Sequence, residues 1–194
     1  MPQFGLRGIK AAKYVNTAGV ITYTDRQKVG DAITANFELR RSEGRLYAED
    51  GLAEYMANAV GGTVSLGVKY ILDDAQKLMF GSIEKTRSVT VGSTSQDVTS
   101  LAVSAKSEGE YIGLGFYCPA LKDSQKVFWV CKICKALFAP PSMTLQTKGE
   151  NIQFNTPTTT GEMMMDDSEE GLLYEAAYVD TEAAAKAWID AVLT

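Results

Sequence analysis

Three strand-like runs crowd the middle third of this chain, and they constrain its fold more than any other feature. Residues 111–120 read YIGLGFYCPA, residues 126–138 read KVFWVCKICKALF, and residues 151–162 read NIQFNTPTTTGE, with Lys148-Gly149 before the third. Short polar turns join them, as expected of strands that lie antiparallel in sequence order. In the first run Ile112, Leu114, Phe116 and Cys118 share one face. In the second, Val127, Trp129, Cys131 and Ile133 share one face while Phe128 and Val130 oppose them, so that strand has no plainly polar side. Burial on both faces explains such a strand, either inside the subunit or against a neighbour.

The remaining elements are spaced around these runs. Residues 20–24 (VITYT) form a short strand candidate. Residues 31–39 alternate, with Ile33, Ala35, Phe37 and Leu39 on one side and Ala32, Thr34, Asn36 and Glu38 on the other. Val64, Leu66 and Val68 alternate with Thr63, Ser65 and Gly67. Asp73-Asp74 cap a short helix through Phe80 that Gly81 ends. Residues 84–91 (EKTRSVTV) read as an exposed strand, and 172–179 (LLYEAAYV) as the last strand. Asp180 or Thr181 caps a closing helix, in which Ala185, Trp188, Ile189, Val192 and Leu193 form an apolar stripe opposite Glu182, Lys186 and Asp190. Glu182 can pair with Lys186 one turn on. Two stretches lack any sustained period. Residues 40–61 are expected to be a long loop, functional or mobile, and the Ser-, Thr- and Gly-rich residues 92–110 a surface connection. The expectation is a single domain over 1–194. It is mainly β, an antiparallel β-sandwich or rolled sheet with a short flanking helix and a C-terminal helix.

Composition narrows function. With 19 Lys+Arg against 24 Asp+Glu the formal charge is −5, which argues against nucleic-acid binding through a basic surface. There is no His, so the commonest general base and metal ligand is missing. The first residues lack a long apolar run, and nothing reaches the roughly 18 apolar residues of a membrane span. Three Cys without an export signal read as free thiols in a reducing compartment.

The motifs that could carry chemistry are weak. Cys131-Lys132-Ile133-Cys134 has CxxC spacing but lies in a strand pattern, where residues three apart face opposite ways, and reads as buried structure. Met163-Met164-Met165 with Asp166, Asp167, Glu169 and Glu170 lacks EF-hand spacing and reads as a solvated acidic loop with an adaptable apolar patch. Gly113 and Gly115 run into a strand, where glycine admits a close backbone or a large ring, not a nucleotide. No catalytic, cofactor-binding or metal residues are expected, and the chain is not read as an enzyme.

Three places together resemble the major tail protein, or tail tube protein, family of long-tailed bacteriophages and prophages of Gram-positive bacteria. One is Leu46-Tyr47-Ala48-Glu49-Asp50 with Glu54 and the Thr63–Val68 strand. The second is Tyr111-Ile112-Gly113-Leu114-Gly115-Phe116-Tyr117 with the Val127–Phe138 strand. The third is Thr147-Lys148-Gly149-Glu150 with Ile152, Phe154, Thr156, Pro157 and Gly161, closed by the Asp180-Thr181-Glu182-Ala183 helix containing Trp188. The resemblance implies a structural virion subunit. Six copies would form a ring, their inner sheets would join into a barrel, and stacked rings would make a hollow tube. That tube would surround a tape-measure protein, meet tail terminator or tail-tip proteins at its ends, and conduct DNA without gripping it. Such a protein is assembled in the host bacterial cytoplasm and resides in the virion tail. On this reading Arg45, Leu46, Tyr47, Glu49, Asp50 and Tyr55 are the expected ring-stacking contacts, and Thr34, Asn36 and Glu38 face the bore. A competing reading is a ligand- or glycan-binding β-sandwich module of a virion, with Tyr111, Tyr117 and Trp129 as an aromatic platform. A small cytosolic enzyme is the third.

Overall fold

The structure, a computed structural model, describes residues 2–49, 51–145, 147 and 154–194, with Leu52 described in its backbone only. In chain order the elements are β1 (Arg7–Thr17), β2 (Val20–Lys28), β3 (Ala32–Ala48), β4 (Gly51–Val68), α1 (Asp73–Phe80), β5 (Ile83–Val91), β6 (Thr94–Ala102), β7 (Ile112–Lys122), β8 (Gln125–Phe138), β9 (Thr158–Met164), β10 (Tyr174–Val179) and α2 (Glu182–Val192). The protein is mainly β and antiparallel throughout, with two short helices, as the sequence led one to expect.

Eight strands form one sheet in the order β2-β1-β7-β8-β9-β4-β3, with β10 also on β8. The sheet forks at β8. One edge of β8 pairs with β7; the other is shared, Phe128–Ile133 with β10 and Lys135–Phe138 with β9. The fork lets the β9-β4-β3 wing fold over the β1-β7-β8 wing. Between them lies the main core: Ile9 and Ala11 from β1, Val64, Leu66 and Val68 from β4, Ile112, Leu114 and Phe116 from β7, and Cys131 and Ile133 from β8. Helix α1 plugs one end with Ala75, Leu78, Met79 and Phe80. Gly81 ends it in the left-handed region (φ 62°), as expected. Its start differs: Leu72 is the cap residue, and Asp73 and Asp74 lie in the first turn, where carboxylates favour the exposed N–H groups.

A second core lies on the opposite face of β7 and β8, under α2. Ala185, Ile189 and Leu193 pack there against Ala12, Tyr14, Tyr23, Tyr117, Phe128 and Val130. Thr181 Oγ1 accepts from the Ala184 N–H, so Thr181 is the cap. The two strand glycines act as the spacing suggested. A Cβ on Gly115 would stand 2.9 Å from Ile189 Cγ2 and 3.1 Å from Leu193 Cδ1, and one on Gly113 would collide with the Tyr23 ring. The missing side chains are what let α2 and Tyr23 lie flat on β7. The two-sided burial of β8 is thus supplied within the subunit.

Several expectations need correction. β1 was not anticipated. It sits inside the sheet with a bulge between Ala11 and Lys13, so Ala11 and Ala12 are both fully buried and the alternation changes phase between them. In β3 the alternation holds from Thr34 to Leu39, but a bulge between Ala32 and Thr34 turns Ile33 outward. Residues 40–61 are not a loop. They continue β3 and β4 as a hairpin, with Arg41 opposite Ala59, Glu43 opposite Ala57, Arg45 opposite Tyr55 and Ala48 opposite Gly51. Residues 92–110 are not one connection either: Gly92 (φ 64°) turns the chain, and β6 pairs with β5 along its whole length. Within the described part of the third run, residues 154–157 are not strand, and β9 begins at Thr158, after Pro157, which has no N–H to give a ladder. Phe154 lies outside it and is 89% exposed. Lys148, Gly149, Glu150 and Ile152 lie outside the described residues.

Candidate assembly surfaces

The body and the two hairpins differ in how their side chains are partnered. Around α2 the chain supplies its own contacts. Tyr117 donates to Glu182 at 2.8 Å, and Arg7 and Lys186 reach the same carboxylate at 3.3 and 3.4 Å. Burial, then the Glu182 hydrogen bond, pushes the Tyr117 hydroxyl up to about 12, while Tyr117, Lys186 and Arg7 hold Glu182 below its ordinary range. Lys10 and Arg26 bind Asp190 near the other end of α2.

The acidic loop is built the same way. Asp166 accepts from the N–H of Leu172 and of Ser168, and from the Ser168 hydroxyl, closing the loop on itself. Asp167 accepts from Tyr14 Oη at 2.9 Å, Lys135 Nζ at 2.9 Å and Asn16 at 3.2 Å. Led by the Lys135 contact, these bonds lower its carboxyl below the ordinary value. Only Glu169 and Glu170 fit the solvated loop the sequence suggested; the two aspartates are fasteners, and Met163 is buried in the main core.

All three cysteines are free thiols. Burial pushes Cys131 up to about 12 and Cys134 to about 11, which leaves almost no thiolate at neutral pH. Among the described residues no three His, Cys, Asp or Glu side chains stand close enough to share a metal ion. The rings considered as a glycan platform are split between environments. Trp129 packs on Phe116 in the main core, Tyr117 packs on Phe128 in the second core across the sheet, and Tyr111 lies under Lys135.

Beyond Leu39 and Gly62 the β3-β4 hairpin leaves the body, and from 41 to 60 only Ala57 is even half-buried among the side chains described. The expected stacking residues converge on this arm. Arg45 bonds Glu43 at 3.0 Å and stands 5.7 Å over the Tyr55 ring. Leu46 and Tyr47 are 58% and 62% exposed, and Met56, which sequence reasoning passed over, is 68% exposed. Glu49 sits at the tip with positive φ (50°); Asp50 lies outside the described residues.

Thr34, Asn36 and Glu38 share the outer face of the folded-over wing with residues of two further strands. Cross-strand rows run Thr34–Gly67–Thr158, Asn36–Ser65–Thr160 and Glu38–Thr63–Glu162. Arg40 follows on this face and pairs with Glu162 at 3.2 Å. The surface is therefore small, hydroxylic and acidic, and its one arginine is neutralised.

The β5-β6 hairpin was missed as a surface. It forms its own two-stranded sheet, exposed from Ile83 to Ser100. One face carries Glu84, Thr86, Ser88 and Thr90 beside Ser95, Asp97 and Thr99. Hydroxyls bridge it, Thr86 to Thr99 at 3.3 Å and Ser88 to Ser95 at 2.7 Å. The opposite face carries Ile83, Lys85, Arg87, Val89, Val91 and Val98. The signal was present: two strand-like runs separated by Gly92-Ser93 are a hairpin pattern.

No protein-family model and no curated protein matches this chain.

Proposed function

We propose that this chain is the repeating subunit of a phage-type tail tube: a structural virion protein that associates with copies of itself into rings, six to a ring in the family it resembles, which stack into a hollow conduit for DNA. The observation that carries this reading is the β3-β4 arm. An isolated two-stranded hairpin is marginal in water, yet this one projects with both faces exposed and with Leu46, Tyr47, Tyr55 and Met56 uncovered. Clustered apolar and aromatic side chains rimmed by Arg45, Glu43 and Glu54 are the chemistry of a protein contact, and long unpaired strand edges are its backbone counterpart. On this reading Arg45, Leu46, Tyr47, Glu49 and Tyr55 meet the neighbouring ring. The hydroxylic, acidic face bearing Thr34, Asn36 and Glu38 lines the bore. The cation on such a face, Arg40, is already paired with Glu162, so it offers phosphates little to release counterions against and DNA would slide along it. The tape-measure protein would occupy that bore before DNA, with terminator and tip proteins capping the tube. The virion tail, assembled in the host cytoplasm, is the corresponding location.

Negative-stain microscopy of concentrated purified protein tests this. Hollow filaments with a regular axial repeat are expected. Tyr47→Ala should remain a folded subunit and give fewer and shorter filaments. Protein that yields no rings or tubes at any concentration or salt would overturn the reading, and normal tubes from Tyr47→Ala would remove the arm from the ring-to-ring contact.

A further inference from the structure

The folded-over sheet has an open side. β3 is the last strand of its wing, and its outer edge has no strand partner among the described residues. Beside the start of β3 a groove of about 620 Å³ runs between that strand and the facing layer, lined by the apolar Leu6, Ile33, Phe37, Phe116 and Trp129, by Cys118, and by the polar Gln3, Thr34 and Asn36. Phe37, Phe116 and Trp129 belong to the main core, so the groove is the side entrance of that core, closed in an ordinary sandwich by one more strand or hairpin.

We infer that the β5-β6 hairpin of a second copy of this chain is that missing piece. It would add to the free edge of β3 with Val89, Val91 and Val98 over the groove. Four features fit it to the place. It is a ready-made pair of nine-residue strands with no strand partner beyond itself among the described residues. Its two faces differ: Ile83, Val89, Val91 and Val98 lie on one together with Lys85 and Arg87, and hydroxyls with Glu84 and Asp97 lie on the other. Seating the valines toward the core aligns Thr86, Ser88, Ser95 and Thr99 with the outer face of Thr34, Asn36, Thr63 and Ser65, extending one polar surface across both copies. Finally, donor and acceptor are different surfaces of the same chain, so the contact is head-to-tail, and repetition closes a ring or runs on as a filament.

The inference rests on the self-assembling reading but adds to it a named donor, a named acceptor and a handed polarity. Cys118 lines the acceptor groove and is partly exposed, which supplies a chemical reporter. Val98→Cys protein is treated, under assembling conditions, with a short bismaleimide, and the products are mapped by peptide mass spectrometry. A ladder running past dimer, linked through residues 98 and 118 and abolished by Cys118→Ala, is expected; a symmetric contact would stop at dimer. Val89→Asp/Val98→Asp should keep the circular dichroism and unfolding midpoint of the parent. It should raise the concentration for half-assembly at least about tenfold, the equivalent of roughly 1.4 kcal/mol. Tubes that form equally well from this double variant, with no ladder, would overturn the contact and leave the tube reading standing. A 98-to-118 ladder without rings or tubes would do the reverse. A 98-to-118 link confined to monomers means the hairpin folds back on its own body, and a parent protein that stays monomeric throughout overturns both.

Discussion

The α2 side of the body and the β3-β4 arm are built from similar residues and end in opposite states. Under α2, Tyr117, Phe128 and Tyr23 are buried, and β7 and β8, which carry the first two, are covered on both faces by the same chain. On the arm, Tyr47, Tyr55 and Leu46 are exposed, and their strands are covered on neither face. The difference is not one of strand quality, since the arm ladder runs from Arg41 to Ala48 with a full set of cross-strand partners. It is one of where the covering surface comes from. The chain finishes its body alone and leaves its hairpins for something else to finish.

If that contrast is right, substitutions should divide into those that change folding and those that change only association. The largest effect belongs to the body. Ile189→Ala empties a fully buried site against Gly115 and should cost about 2–5 kcal/mol in urea unfolding. Next is Gly115→Ala, whose new methyl meets Ile189 and Leu193 and should cost about 1–3 kcal/mol by overpacking. A loss well below these ranges at both positions would mean α2 is not the lid described here. On the arm, Tyr55→Ala should move stability by no more than about 0.5 kcal/mol, the norm for an exposed site, while lowering assembly; a large loss of stability would erase the contrast. The smallest effect concerns pH. Asp167 is held below its ordinary value of 3.8 by Lys135, Asn16 and Tyr14. A carboxyl whose folded value is lowered stabilises the fold fully above its unfolded value, and loses that contribution as pH falls through the folded one. Asp167→Asn should therefore lower the unfolding midpoint near neutral pH and converge with the parent below pH 3.8. A difference that persisted at low pH would mean that the loop depends on shape and not on charge.

The same contrast governs what could be read from the sequence. Period-two alternation exists only where one face of a strand is dry and the other wet. Val64, Leu66 and Val68 satisfy this and were legible, as was the stripe of α2, whose outer side carries Lys186, although Glu182 and Asp190, expected opposite the stripe, reach back to Tyr117 and Lys10 on the sheet. β1 changes face at its bulge, Ile9 and Ala11 being buried beside half-exposed Lys10 and then Ala12 and Tyr14 beside half-exposed Lys13, so no single period runs through it. The arm failed for a different reason: it is wet on both sides, so residues 40–61 read as a loop although their residues had been singled out for contact. Gly113 and Gly115 were legible as sites of close approach because a strand rarely tolerates glycine without a neighbour to explain it. The bore-facing set was incomplete. Thr34, Asn36 and Glu38 came from one strand, and the grid is finished by β4 and β9, whose register depends on pairings that lie far apart in sequence. The hydroxyl face of β5-β6 was hidden by its composition, since Ser and Thr suggest a connection as readily as a strand.

The central claim is that both hairpins find their partner in another copy of the chain, and amide hydrogen exchange reads this directly, residue by residue. In dilute monomer the account predicts rapid exchange over 41–59 and 83–100 beside slow exchange in β7, β8 and α2, with both hairpins and the outer edge of β3 becoming protected on assembly. Hairpins as protected in the monomer as the body, or still unprotected in assembled particles, would contradict it.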